Sequence, residues 1–289
     1  MMGVPASSSL ENCFYQTKSD GRGVLVAYLT LGDPSWDDTV RVARVLANAG
    51  GGVDIIELGW PSVNPYLDGP VIRESHYRAC AALMRTTGLT SQALRTPPFR
   101  GLHDVAWNLL ETIRSSVPRP IVLMGYREDL LTDSHNLVRK CKSIGIDAVL
   151  IPDAHEEELQ ELDGLTSIRL FDPSMDGRQI ENTASRAAGF AYIRSHGGST
   201  GSHTGICLKA IGALSRRIRQ VRPNLPQALG FGLRGPEDVA TVIRLGFEGA
   251  IVGSAIVEYV SRRDWTGIGH FVASLRAATR LGSPESTEG

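Results

Sequence analysis

The 289-residue chain carries 30 basic against 31 acidic residues and is 42% hydrophobic and 21% charged. That near-neutral balance argues against a nucleic-acid-binding surface or a disordered acidic segment, and the length suits one barrel-sized domain with a substantial core. Cys13, Cys80, Cys141 and Cys207 have no CxxC spacing. No apolar stretch approaches the roughly 18 residues of a membrane span, and the first residues lack a secretory pattern, so the expectation is a cytoplasmic protein with reduced thiols and no membrane contact.

In chain order, residues 10–17 read as a short N-terminal cap, followed by an apolar run at 24–31 that closes on Gly32-Asp33-Pro34. A helix follows at 37–49, then a second strand at 54–59 that opens into a polar, glycine-rich loop. Further apolar runs at 120–124, 148–151, 167–171, 189–193, 227–231 and 249–253 complete a set of eight. Helix-compatible segments at 135–144, 177–188, 206–219 and 236–245 separate the later runs. Strict β/α alternation over eight strands predicts a closed (β/α)8 barrel rather than an open dinucleotide-binding sheet. The connection before strand three is extended. It holds helix candidates at 76–84 and 104–113, with a Pro-bearing stretch between them, and residues 86–101 read as a surface insertion. The whole chain, 1–289, is expected to be a single domain with its core at about 24–281 and frayed ends.

Glycines fall where barrel enzymes hold anions. Gly230-Phe231-Gly232 follows strand seven, Gly253-Ser254 follows strand eight, and Gly198-Ser199-Thr200-Gly201 follows strand six. The loops after strands seven and eight point backbone N–H groups at phosphate oxygens, and Ser254 adds a hydroxyl, so the C-terminal face is expected to bind a phosphorylated small molecule. A GxGxxG after an early strand is missing, which disfavours a dinucleotide.

Two acids are the candidate catalytic pair. Glu57 ends strand two, where a side chain points into the barrel mouth, and Asp68 lies eleven residues on in a Pro/Gly-rich loop. Unlike surroundings would give them separate jobs, Glu57 moving protons and ionised Asp68 stabilising a developing positive charge. Asp68 could equally cap a helix beginning near Pro70. Trp60 reads either as an aromatic wall beside Glu57 or as a plug against the core. Asp153 and Tyr192 read as mouth residues or as packing, Asn64 and Tyr66 as substrate contacts or turn formers, and His196 as a phosphate contact or surface residue. None of Lys18, Lys140, Lys142 and Lys209 stands at a strand C-terminus, which leaves a Schiff-base aldolase without a nucleophile, and the histidines form no HExxH.

The ordered motifs Tyr28-Leu29-Thr30-Leu31-Gly32-Asp33-Pro34, Glu57-Leu58-Gly59-Trp60-Pro61, Asn64-Pro65-Tyr66-Leu67-Asp68-Gly69-Pro70, Ser195 to Gly201, Gly230-Phe231-Gly232 and Val252 to Val257 resemble the tryptophan synthase alpha-subunit family, including its stand-alone indole-releasing relatives. The resemblance spans roughly residues 25–281, apart from much of the long connection. It implies a lyase that cleaves indole-3-glycerol phosphate to indole and glyceraldehyde 3-phosphate without metal or cofactor. The family's catalytic acids match Glu57 and Asp68. Its phosphate-binding positions match Gly201, Gly232, Gly253 and Ser254, and its pocket and loop-ordering positions match Tyr28, Tyr126, Asp153, Tyr192 and Thr200. It also implies a phosphorylated indole substrate and a tryptophan synthase beta-like partner. The chain departs from the family at Ser62-Val63-Asn64-Pro65, where Phe-Ser-Asp-Pro is usual, at Glu128 in place of Asn, and at His196 in place of Arg. Because these loops meet the beta subunit in the family, specialised metabolism with release of free indole, or a substituted indole substrate, is a further expectation. Two competing readings are a related phosphosugar isomerase or lyase and a non-catalytic phosphate-binding regulatory barrel.

Overall fold

All eight apolar runs form parallel strands in the computed structural model, which describes residues 9–88, 100–194, 208–230 and 232–281. The strands are β1 (Val24–Thr30), β2 (Ile55–Gly59), β3 (Ile121–Met124), β4 (Ala148–Leu150), β5 (Arg169–Phe171), β6 (Ala191–Arg194), β7 (Gln227–Gly230) and β8 (Gly249–Val252). Their order, β4-β3-β2-β1-β8-β7-β6-β5, places β1 beside β8. The remaining gap closes through a parallel bridge from Val149 to Ser167, where the Val149 N–H donates to the Thr166 carbonyl and the Ile168 N–H to the Val149 carbonyl, both at 2.8 Å. Closure satisfies both edges, so the described chain is a (β/α)8 barrel.

Period-two alternation sorts the strand side chains into two cores. Val24, Val26, Ile55, Val122, Leu150 and Ile251 fill the barrel interior. Their neighbours Leu25, Ala27, Ile56, Leu58, Leu123 and Val252 face the surrounding helices. The N-terminal cap is α1 (Ser9–Ser19), whose Leu10 and Phe14 belong to the interior core. Phe14 packs on Phe190 with ring centroids 5.4 Å apart and lies against Gly249, the first residue of β8, so α1 seals the end of the barrel away from the strand C-termini.

The outer layer comprises α2 (Trp36–Asn48), α3 (Pro70–Thr87), α4 (Arg100–Ser116), α5 (Arg127–Leu130), α6 (Ser134–Ile144), α7 (Glu156–Gln160), α8 (Gly177–Arg186), α9 (Leu208–Val221), α10 (Pro236–Arg244), α11 (Ser254–Ser261) and α12 (Trp265–Ala278). The helix read at 76–84 is longer, because Pro70 starts it at the first helical position and left-handed Gly88 stops it. The stretch read as an insertion, 86–101, overlaps the end of α3 and the start of α4, and its residues 89–99 lie outside the described residues. No helix among the described residues is long and apolar enough to cross a membrane.

Truncating the plug tests its contribution. Phe14→Ala is expected to destabilise the fold by about 3–5 kcal/mol, seen as a lower urea midpoint with an unchanged slope. An unchanged midpoint would show that α1 does not seal the core.

Candidate active site

The inward register that fills the lower barrel with aliphatic side chains places polar ones at its upper end. Tyr28 on β1 is paired in register with Glu57 on β2, which is paired with Val122 on β3. Glu57 continues the inward series begun by Ile55, and it is 1% exposed. Neither of its carboxyl oxygens has a hydrogen-bond partner among the described residues. Burial, reinforced by the charge of Asp68, pushes its pKa up to about 8. With no donor to stabilise the anion, the buried group carries a proton at neutral pH.

Asp68 is held differently. It sits in the β2–α3 loop, 5% exposed, and its Oδ2 accepts a 2.6 Å hydrogen bond from the Tyr126 hydroxyl. The same phenol oxygen accepts from the Leu67 N–H at 3.1 Å, so Tyr126 grips both the acid and the backbone before it. Burial first, then Asp68, drives the Tyr126 hydroxyl far above the usual phenol range, keeping it a donor. Tyr66 packs on Tyr126 at 5.2 Å and donates to Asp153 Oδ2 at 2.9 Å, while Asp153 Oδ1 accepts from the Arg127 N–H at 2.9 Å. Asp153 therefore orders the Asp68 loop through Tyr66. The capping alternative for Asp68 is not what forms, since Gly69 is the N-cap of α3 and no side chain caps it.

A cavity opens above these groups, lined by Tyr28, Asp68, Ile72, Met124, Tyr192, Gly232, Leu233, Ile251, Gly253 and Ser254. Asp68 thus shares one space with the glycines after β7 and β8. Gly232 has a φ of 89°, the left-handed region that favours glycine, and Gly253 is the N-cap of α11, whose first residue is Ser254. Glu57 is not in this lining. It lies directly behind the lining, close enough for its charge to act on both Tyr28 and Tyr192.

Trp60 requires a correction as a pocket residue. It is fully buried and packs on Trp107 of α4 with ring centroids 4.8 Å apart, in the helix-facing core. One residue past β2, it keeps the outward parity of Ile56 and Leu58, a signal already present in the alternation. Tyr126 and Asp153 support the loop without lining the cavity. Thr200 and Gly201, like His196, lie outside the described residues.

Sequence reasoning also missed the parts that several residues play. Gly59 and Gly230 make room for the two cavity tyrosines: an added Cβ would come within 2.1 Å of the Tyr28 hydroxyl at Gly59 and 3.0 Å of the Tyr192 ring at Gly230. Arg194, at the end of β6, forms a 2.7 Å ion pair with Asp172 just beyond β5. His76 of α3 is 3% exposed and lies 3.5 Å from Asp68 Oδ2.

Fold and site together define a (β/α)8 barrel with a buried acid pair beside an aromatic cavity and a glycine-rich rim after its last two strands. The family model for "Tryptophan synthase alpha chain" matches residues 14–275. A tryptophan synthase alpha chain from Citrifermentans bemidjiense is 32% identical, over 96% of this chain and 99% of its own length. Among solved structures, tryptophan synthase from Mycobacterium tuberculosis superposes with a TM-score of 0.79 at 25% identity, covering 96% of this chain and 100% of that one. Tryptophan synthase subunit alpha from Legionella pneumophila does so with a TM-score of 0.76 at 24% identity, covering 95% and 99%. The chain belongs to the tryptophan synthase alpha-chain family.

The unpartnered acid leaves a mark on stability. The folded-state pKa of Glu57 is raised from 4.5 to about 8, so the native state binds the extra proton and stability falls as pH rises through that window. Relative to Glu57→Gln, the wild-type protein is expected to lose about 1.4 kcal/mol per pH unit between pH 5 and 8. Denaturant midpoints of both proteins at several pH values check this, and parallel curves would refute the buried, raised acid.

Proposed function

We propose that this chain cleaves indole-3-glycerol phosphate into indole and glyceraldehyde 3-phosphate, with Glu57 as proton donor and acceptor and Asp68 as partner of the ring N–H. The observation that carries this reading is the unlike pair: a protonated, unpartnered Glu57 beside a hydrogen-bonded Asp68 that opens on the cavity. Family membership supplies the reaction class, because the relatives named above are tryptophan synthase alpha chains or contain them.

The chemistry follows from that pairing. Glu57 donates its proton to indole C3, which turns the ring into an electron sink with positive charge on its nitrogen. Asp68 meets the ring N–H, and its negative charge favours this intermediate over the neutral ring. The resulting Glu57 carboxylate then takes the proton of the hydroxyl next to the ring. As the carbon–carbon bond breaks, its electron pair returns to the ring, the hydroxyl carbon becomes the aldehyde, and Glu57 ends protonated as it began. Backbone N–H groups near Gly232 and Gly253, with the α11 N-terminus and the Ser254 hydroxyl, hold the phosphate and so orient the scissile bond.

Purified protein, assayed alone and with a tryptophan synthase beta-like chain, is expected to release indole and triose phosphate in equal amounts. Glu57→Gln should lower kcat by about 10²- to 10⁴-fold while leaving the affinity for glycerol 3-phosphate unchanged. Unaltered turnover would reject the assigned role. Since the reaction starts from protonated Glu57, kcat/KM should fall as pH rises above about 8. Product analysis with sugar phosphates separates this lyase from a phosphosugar isomerase on the same barrel.

A further inference from the structure

His76 belongs to α3, whose first residue, Pro70, follows Asp68 by two positions, so one rigid helix ties the histidine to the acid. Its ring is buried and touches three separate parts of the site. The Ser62 backbone N–H donates to Nδ1 at 3.1 Å. On the other side of the ring, Nε2 lies 3.3 Å from the Tyr28 hydroxyl and 3.5 Å from Asp68 Oδ2. A backbone N–H is only a donor, so Nδ1 must present its lone pair and the neutral ring carries its proton on Nε2. The tautomer is therefore set by the loop after β2, and the remaining N–H faces two polar groups that line the cavity, Tyr28 and Asp68.

The surroundings reinforce that direction. The Tyr28 oxygen also accepts from the Thr30 hydroxyl at 3.1 Å, and Asp68 Oδ2 also accepts from Tyr126. Tyr126 and the His76 ring thus both stand on the Oδ2 side of the carboxylate, and no hydrogen bond to Oδ1 forms among the described residues. The far end is anchored as well, because Ser62 is fully buried and its Oγ accepts from the Asn64 N–H at 3.2 Å.

We propose that His76 is a positioning residue for the reaction, using its Nε2–H to fix the Asp68 carboxylate and the Tyr28 phenol so that Asp68 Oδ1 meets the ring N–H of the substrate. This rests on the functional reading above for its substrate, but the tautomer and its contacts are independent of it. The role differs from that of Tyr126, which holds the loop backbone together with the acid. His76 links the acid to the aromatic wall opposite, so its loss should alter the positive transition state more than the binding of the phosphate arm.

Two isosteric substitutions divide the ring's functions. His76→Asn retains an acceptor near Nδ1 for the Ser62 N–H but has nothing at Nε2. His76→Gln places an amide N–H near Nε2. The expected result is that His76→Asn lowers kcat by on the order of tenfold or more, that His76→Gln keeps most of the turnover, and that both bind glycerol 3-phosphate as the wild type does. Full turnover in His76→Asn would overturn the proposal, as would equal loss in both variants with weakened glycerol 3-phosphate binding. The long-range ¹⁵N–¹H spectrum of the wild-type protein labelled at histidine ring nitrogens gives a readout that needs no turnover. It should show the Nε2–H tautomer for the resonance missing from His76→Asn, and an Nδ1–H tautomer would refute the assignment. Failure of the wild-type protein to release indole would sink the functional reading alone, leaving the tautomer to decide whether His76 addresses Asp68 and Tyr28.

Discussion

A carboxyl group placed inside a barrel, out of water and without a donor, must either find a countercharge or keep its proton. Glu57 keeps its proton, and the upper half of this molecule is arranged around that fact. Only a few residues away in the fold, Asp68 receives the Tyr126 hydroxyl and stands beside His76. The two acids share a neighbourhood, but the hydrogen bonds are distributed unequally between them. Their mutual repulsion widens the difference: the negative charge of Asp68 raises Glu57 further.

Tyrosine phenols make that unequal distribution durable. Tyr126 bonds the acid and its preceding backbone, Tyr66 passes the loop on to Asp153, and Tyr28 meets both Thr30 and His76. Each presents an apolar body to a packed wall and a polar tip to the network, so rigidity is gained without leaving the polar atoms unsatisfied. The strand-end glycines beneath Tyr28 and Tyr192 serve the same end, since any side chain at Gly59 would displace the Tyr28 ring from its place. At the opposite end of the barrel, α1 inserts Leu10 and Phe14 into the interior core. With that end sealed, the cavity lies at the strand C-termini, where the anion-type glycines stand.

The barrel was legible because eight short apolar runs alternate with helix-compatible segments, and closure is the only arrangement that leaves neither edge unpaired. Glu57 was legible for a related reason: strand side chains alternate strictly, so an acid in register with inward Ile55 must enter the barrel. The same rule places Trp60 outward, which decides between its two readings in favour of the plug against the core. Asp68 was visible as an acid in a Pro/Gly-rich loop, but its job was ambiguous, because a loop residue before a helix serves equally well as a cap.

His76 shows where such reading stops. Along the chain it is one helical residue among others, and no spacing rule marks it. It becomes part of the site because α3 packs across the mouth and turns that one face toward Ser62, Tyr28 and Asp68. What the amino-acid order determined by itself was periodic: strand number, the inward face, and thus the entry of Glu57 into the barrel, all consequences of local backbone geometry. Only the tertiary structure decided that Glu57 is buried without a donor while Asp68 is bonded, because that depends on groups brought together from β2, the loop after β3 and α3 at once.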